Sequence, residues 1–207
     1  MFAVLKTVLI AVMPDATLVP TIVKVAAAIV LVLFALTGKP LQKGFFHRLL
    51  FIGLLFFLMA DIAIKLRASI GVLLFGIGHL LLVIAFFKKK KPTKIGVLIW
   101  VVASVAVGFC MFFFLHGIIP AGYIGCACVT AYGAILILMV VCATRMPKTL
   151  SIAAYAFILS DLLLVADKIS PKLVWCHCIS TALFYLSLWL ICYFLADKSS
   201  DNGMTAN

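Results

Sequence analysis

The chain has 207 residues, 67% of them apolar, and a mean hydropathy of +1.33. This composition excludes a water-soluble domain, and at about 20 residues per span the length suits one bundle of membrane helices. The net charge of +11 does not indicate nucleic-acid binding, because the basic residues gather at the ends of apolar runs without interleaved aromatics.

Apolar runs bounded by proline, glycine and charge predict the membrane spans in chain order. A weak first candidate covers residues 2–13, as a short or tilted span or as an interfacial helix. The remaining predicted spans cover residues 18–37, 45–64, 70–87, 95–115, 119–142, 150–166 and 172–196. Helices are expected because the runs are too long and too uniformly apolar for barrel strands.

The predicted fold class is therefore all-α, a polytopic transmembrane helical bundle of about eight spans with a short first one. We expect a single domain over residues 1–198 and a disordered tail over residues 199–207. One side of the membrane carries most of the basic loop residues: Lys39, Lys43, Arg48, Lys88–Lys91, Lys94, Arg145, Lys148 and Lys198. The positive-inside rule makes this side, and the C-terminus, cytoplasmic in a cell membrane, or in the endoplasmic reticulum membrane of a eukaryote.

Two aspartates lie inside apolar runs and share their local sequence. Phe57-Leu-Met-Ala-Asp61 and Phe157-Ile-Leu-Ser-Asp161 both place a phenylalanine four positions before the acid and a small residue just before it. A carboxylate in hydrocarbon costs at least a few kcal/mol, so such residues usually face a bundle interior and mark a function. The pair predicts a two-carboxylate site within the membrane.

The two motifs also suggest an internal repeat. They lie four spans apart, so their helices run in the same direction, and each is followed by a short basic loop and a helix with a histidine, His79 or His177. This order is what a parallel duplication about an axis along the membrane normal would produce.

Further polar residues are expected near the aspartates, and each has a structural alternative. Lys24 either snorkels to the interface or pairs with an aspartate. His79 is either catalytic or a buried neutral histidine bonded to a carboxylate or the backbone, and Tyr132 needs a buried partner such as a site carboxylate. The alternative for the acids is that Lys24 neutralises one while the other is protonated, both serving to hold helices together.

The seven cysteines all fall within predicted spans and are expected to be packing residues. Cys126 and Cys128, like Cys176 and Cys178, are two positions apart. On a helix such residues point roughly 200° from each other and cannot readily bind one ion. Neither a metal nor another cofactor is predicted.

The chain resembles the YhhN family of eight-span membrane proteins, known as lysoplasmalogenases, over roughly residues 18 to 195. Five features carry the resemblance: Lys24 in the second span, the Asp61 motif, Gly78-His79 within the segment 70–86, Tyr132 within the segment 130–139, and Phe157 to Asp161. Each motif is short, and their order and spacing together make the resemblance specific.

The resemblance implies hydrolysis of the vinyl ether bond of lysoplasmalogens, which yields a fatty aldehyde and a glycerophospho-base. Asp61 and Asp161 would be catalytic, one as the acid that protonates the alkene and the other as the ionised group that stabilises the cation and activates water. Lys24, His79 and Tyr132 would bind substrate or orient the acids. The expected partners are a lysophospholipid and the bilayer, with no nucleic acid.

Two alternatives stay open at the level of sequence. Paired carboxylates in a membrane also serve proton-coupled small-solute transporters. A metal-dependent membrane lipid hydrolase would use His79, His177 and an aspartate.

Overall fold

The computed structural model describes residues 18–115, 122–169 and 174–197, and these are almost entirely helical. The predicted first span, residues 2–13, and the predicted tail, residues 199–207, lie outside the described residues. The helices are α1 (Leu18–Leu36), α2 (Phe45–Leu66), α3 (Ala68–Lys89), α4 (Lys94–Cys110), α5 (Gly122–Ala143), α6 (Lys148–Ile169) and α7 (Val174–Ala196).

The fold class predicted from the sequence, an all-α membrane bundle, is confirmed. Within the described ranges, six helices are long and apolar enough to cross a membrane, and α1 adds a shorter apolar stretch, Val23–Leu36. Several helices run past their apolar segments, and α3 continues to Lys89. Helix ends extend this way because a lysine can lie in the interfacial region and direct its ammonium group to water.

The predicted span 95–115 is not one regular helix. The α-helix ends at Cys110, and residues Met111–Leu115 form a π-helical turn. The Sγ of Cys126 on α5 donates a hydrogen bond to the Met111 carbonyl, at 3.3 Å. A single π-helical turn interrupts the regular α-helical hydrogen bonding and leaves carbonyl groups available to other donors. Apolar periodicity over one span does not encode such a change of helical pitch.

Two tight helical hairpins, α2–α3 and α6–α7, make the most extensive helix contacts in the described part of the bundle. Helix α1 packs on α2 and α7, and α5 packs on α3 and α6. Helix α4 lies at the periphery against α5, where Trp100 Nε1 donates to the Ala134 carbonyl at 2.9 Å. No residue of α4 is buried in the described part of the bundle, in contrast to the other six described helices.

Some helix contacts follow the exchange that the predicted repeat implies, whereas the α2–α7 contact has no counterpart of similar extent between α3 and α6 in the described part of the bundle. Replacing α1, α2 and α3 by α5, α6 and α7 maps the α1–α2 contact onto α5–α6, and α2–α3 onto α6–α7. The same exchange maps α1–α7 onto α5–α3. Phe57 and Phe157, which hold equivalent positions in the two aspartate motifs, pack against each other with ring centroids 4.7 Å apart.

Glycine on α3 lets the first motif pack against the helix backbone. A Cβ built on Gly78 would lie 2.6 Å from a ring carbon of Phe57. Side chains rarely tolerate such an approach, so the absence of a Cβ is what brings Phe57 onto α3 beside His79. The first motif and the glycine-histidine pair are thereby fixed to each other.

Candidate functional site

Asp61, near the end of α2, is held by side chains from two other helices. Lys24 Nζ, on α1, forms an ion pair with Asp61 Oδ1 and also donates to the Asp61 backbone carbonyl, at 2.9 Å. Tyr185 Oη, on α7, donates to Asp61 Oδ2 at 2.7 Å. All three residues are buried. Each carboxylate oxygen thus has a strong donor, and the charge of Asp61 is compensated.

This arrangement decides between the two expectations for Lys24. Its ammonium group pairs with an aspartate inside the bundle rather than extending to the interface. A buried ion pair holds together only when extra hydrogen bonds satisfy the remaining groups, which Tyr185 and the Asp61 carbonyl do here. Lys24 therefore connects α1 to α2 at the level of the carboxylate.

Asp161, near the end of α6, has a different environment. Tyr132 Oη, on α5, donates a hydrogen bond to Asp161 Oδ2 at 2.8 Å. The prediction that the Tyr132 hydroxyl finds a site carboxylate is confirmed. Among the described residues no cation forms an ion pair with Asp161, so this carboxyl group is matched with a neutral phenol.

His79, on α3, is completely buried. Its Nδ1 is 2.8 Å from the Phe75 carbonyl of its own helix. Its ring meets Phe57, Phe157 and Tyr132 edge to face, with centroid separations of 4.7, 5.2 and 5.6 Å. His79 thus contacts the ring of the tyrosine that bonds to Asp161.

Five aromatic rings next to the two aspartate motifs pack together; we define this aromatic cluster as Phe57, Phe75, His79, Phe157 and Phe184. Phe184 lies 5.9 Å from Phe157 and 5.5 Å from Phe75, between ring centroids. Phe57 and Phe157 each precede their aspartate by four residues, about 6 Å along a helix. Both carboxyl groups therefore lie about one turn beyond the same phenylalanine pair.

The five site residues predicted from the sequence fall into two groups. The structure brings Lys24 to Asp61, and Tyr132 with His79 to Asp161. Sequence reasoning missed Tyr185. The available signal was a phenol in the middle of an apolar span, which needs a buried partner just as Tyr132 does.

A second missed feature fixes the hairpin that carries Asp161. Ser160 Oγ on α6 donates to the Ser180 carbonyl on α7 at 2.9 Å, and Ser180 Oγ donates back to the Ser160 carbonyl at 2.8 Å. Because Ser160 directly precedes Asp161, this reciprocal pair holds the acid-bearing turn of α6 against α7.

The metal-dependent alternative finds no ligand set in the part of the chain that the structure describes. There, no group of three or more histidine, cysteine, aspartate or glutamate side chains is arranged to hold an ion. His177 lies half-buried in the first turn of α7. All seven cysteines are free thiols.

Fold and site together define a multi-pass helical membrane protein with one buried and one half-buried carboxyl group, each with different partners. Comparison with family models matches the YhhN family over residues 19–194, most of the chain, and the protein belongs to that family. Every residue of the site, from Lys24 to Tyr185, lies within the matched range. Neither the curated proteins nor the solved structures contain a match.

Proposed function

We propose that this protein hydrolyses the vinyl ether bond of lysoplasmalogens within the membrane, by acid/base catalysis with Asp61 and Asp161. Membership of the YhhN family supports a lysoplasmalogenase-like protein. The observation that carries the proposal is the unequal partnering of two carboxyl groups inside the bundle: Asp61 has a lysine and a tyrosine, and Asp161 has a tyrosine without a cation among the described residues. Two acids held in opposite protonation states are what acid/base chemistry on one substrate needs.

Asp161 suits the role of the acid. A protonated carboxyl group can accept the Tyr132 hydrogen bond on Oδ2 and carry its proton on Oδ1. In the first step this proton passes to the alkene carbon remote from the ether oxygen, and the alkene electron pair forms the new C–H bond. The carbon next to the oxygen becomes an oxocarbenium ion, and Asp161 becomes a carboxylate.

Asp61 suits the role of the permanent anion, because Lys24 and Tyr185 both stabilise its ionised form. Its charge favours the cation that develops in the transition state. Water then attacks the oxocarbenium carbon and loses a proton to a carboxylate, which gives a hemiacetal. Collapse of the hemiacetal breaks the bond to the glycerol oxygen, which takes a proton, and the products are a fatty aldehyde and a glycerophospho-base.

Substrate is proposed to reach the site from within the bilayer. A lysophospholipid reaches a helical bundle from the bilayer, with its chain among the apolar helices. We propose a multi-pass cell-membrane location with a cytoplasmic C-terminus, which puts Asp61 and Asp161 toward the other leaflet. Lys24, although paired with Asp61, keeps a donor for the substrate phosphate. No metal takes part in any of these steps.

The test is aldehyde release by purified protein in detergent or liposomes. The substrates are a lysoplasmalogen, its ester-linked analogue and its saturated ether analogue, and only the first is expected to react. Asp61→Asn and Asp161→Asn are assayed beside a matched control, Asp197→Asn, at the end of α7. The control is expected to retain wild-type activity.

Two results would contradict the proposal. Undiminished aldehyde release in both site variants would remove the carboxylates from the mechanism. No release by the wild type would instead favour proton-coupled transport, which the buried Lys24–Asp61 pair also suits. Solute uptake into liposomes under a pH gradient would then be the measurement to make.

A further inference from the structure

One polar atom at the site has no protein partner. Nε2 of His79 is buried and makes no hydrogen bond with any described residue. Most buried polar groups are hydrogen-bonded, and leaving one unpaired costs about 1–3 kcal/mol. The ring of His79 packs on Tyr132, which bonds to the candidate catalytic acid, so its unpaired nitrogen is a position where a ligand atom would bind favourably.

The hydrogen bond of Nδ1 decides whether Nε2 of His79 is a donor or an acceptor. The Phe75 carbonyl can only accept, so Nδ1 of His79 carries the hydrogen of that 2.8 Å bond. The ring is surrounded by Phe57, Phe157 and Tyr132, where an unpaired positive charge would be costly. In the neutral ring Nε2 is an acceptor, so its ligand must supply a hydrogen-bond donor.

We propose that Nε2 of His79 accepts a hydrogen bond from the free sn-2 hydroxyl of the lysophospholipid, and so selects lyso substrates over those acylated at that position. This inference rests on the proposed function. In such a substrate the vinyl ether and the phosphate offer only acceptors. The sn-2 hydroxyl is the donor next to the reacting bond, since it lies on the carbon adjacent to the one that bears the ether.

The arrangement of the site agrees with this assignment. His79 packs on the ring of Tyr132, which bonds to Asp161, so a substrate whose alkene meets Asp161 has its glycerol near His79. An ammonium head group is a poorer candidate, because the phosphate next to it would have to enter the aromatic cluster as well. An acyl group at sn-2 would remove the donor and add bulk beside the buried ring of His79.

The experiment compares kcat/KM for aldehyde release from a lysoplasmalogen and from its 2-deoxy analogue. The wild type is expected to prefer the hydroxyl form by about 100-fold or more, because a site built for a hydroxyl rejects analogues that lack it. In His79→Phe this preference should largely disappear, because kcat/KM should fall for the lysoplasmalogen and stay unchanged for its 2-deoxy analogue. His177→Phe, a matched histidine variant elsewhere in the bundle, should keep the wild-type preference.

Equal loss on both substrates in His79→Phe would overturn the proposal, since His79 would then act on a step common to both, such as binding the attacking water. Equal kcat/KM of the wild type on the two substrates would also overturn it, without reliance on any variant. If no aldehyde is released at all, the proposed function fails. The hydrogen bond to the sn-2 hydroxyl is then tested by comparing how tightly the wild-type protein binds the saturated ether lysolipid and its 2-deoxy form. Tighter binding of the hydroxyl form supports the hydrogen bond, and equal binding excludes it.

Discussion

The three-helix units α1–α3 and α5–α7 carry the same aspartate motif with different partners. In the first unit the aspartate accepts from Lys24 on α1, and in the second it accepts from Tyr132 on the equivalent helix, α5. Helix α7 provides Tyr185 to Asp61, whereas the equivalent helix, α3, places His79 beside Tyr132. Two copies of one local motif therefore carry carboxyl groups that the partner helices make chemically unlike.

This difference teaches how two similar motifs in one bundle can differ in their chemistry. The Phe57–Phe157 contact brings the two motifs together. A lysine in one partner helix and a tyrosine in the other suffice to give one carboxylate a compensating charge and the other a neutral donor. The following predictions test that contrast, beginning with the largest expected effect.

Exchange of Asp161 for asparagine should have the largest effect on activity. We expect kcat/KM for aldehyde release to fall by about 10²–10⁴-fold, the usual contribution of a positioned general acid, while the protein remains folded. Asp61→Asn removes the anion and leaves the Lys24 ammonium group unpaired, but it should reduce activity less, because proton transfer from Asp161 is retained. A larger loss in Asp61→Asn than in Asp161→Asn would reverse the assignment of acid and anion.

Removal of the ammonium group from the first unit should mainly affect stability. Lys24→Met leaves a buried unpaired carboxylate, which typically costs about 3–5 kcal/mol. Unfolding followed in detergent micelles measures this loss. In the double variant Lys24→Met/Asp61→Asn most of the stability should return, because no charge is then left unpaired. Failure of the double variant to recover would mean that Lys24 contributes through packing rather than through its charge.

Tyr132→Phe and Tyr185→Phe each remove one hydroxyl that donates to a site carboxylate. The bond to the ionised Asp61 is expected to contribute about 1.5–3 kcal/mol, and the bond to the protonated Asp161 about 0.5–1.5 kcal/mol. We expect Tyr185→Phe to lower the stability of the fold and Tyr132→Phe to lower turnover, because the second phenol holds the proposed acid. Paired measurements of unfolding and kcat on both variants make the comparison. The same pattern of loss in both variants would argue against unlike roles for the two halves.

The serine pair between α6 and α7 should have the smallest effect. Ser160→Ala and Ser180→Ala should each reduce stability only modestly, and a double-mutant cycle should give a coupling of about 0.6 kcal/mol, as between other membrane helices. Ser187→Ala is the matched control, because Ser187 Oγ bonds to Leu183 of its own helix. A double-mutant cycle of Ser160→Ala with Ser187→Ala serves as the control. If its coupling energy were as large as that between Ser160 and Ser180, a specific contact between the two helices would be excluded.

The helices could be predicted closely, since each described helix corresponds to one apolar run bounded by charge, proline or glycine. Hydrocarbon thickness sets the length of those runs, so composition alone locates them. The π-helical turn at Met111–Leu115 could not be predicted, because its apolar residues are compatible with either helical pitch. The aspartates were detectable because a carboxyl group in an apolar span is so costly that its presence indicates a partner.

The sequence by itself determined the class of protein, the helix positions, the pair of acids and the family resemblance, because these follow from composition, spacing and local motifs. Only the tertiary structure decided that Lys24 and Tyr185 bind Asp61 while Tyr132 binds Asp161. It also decided that His79 uses Nδ1 on its own helix while Nε2 has no hydrogen-bond partner among the described residues. Lys24 and Asp61 are 37 positions apart in the chain, and Asp61 and Tyr185 are 124 apart. Such pairings depend on how the helices pack and rotate against one another, which no local pattern specifies.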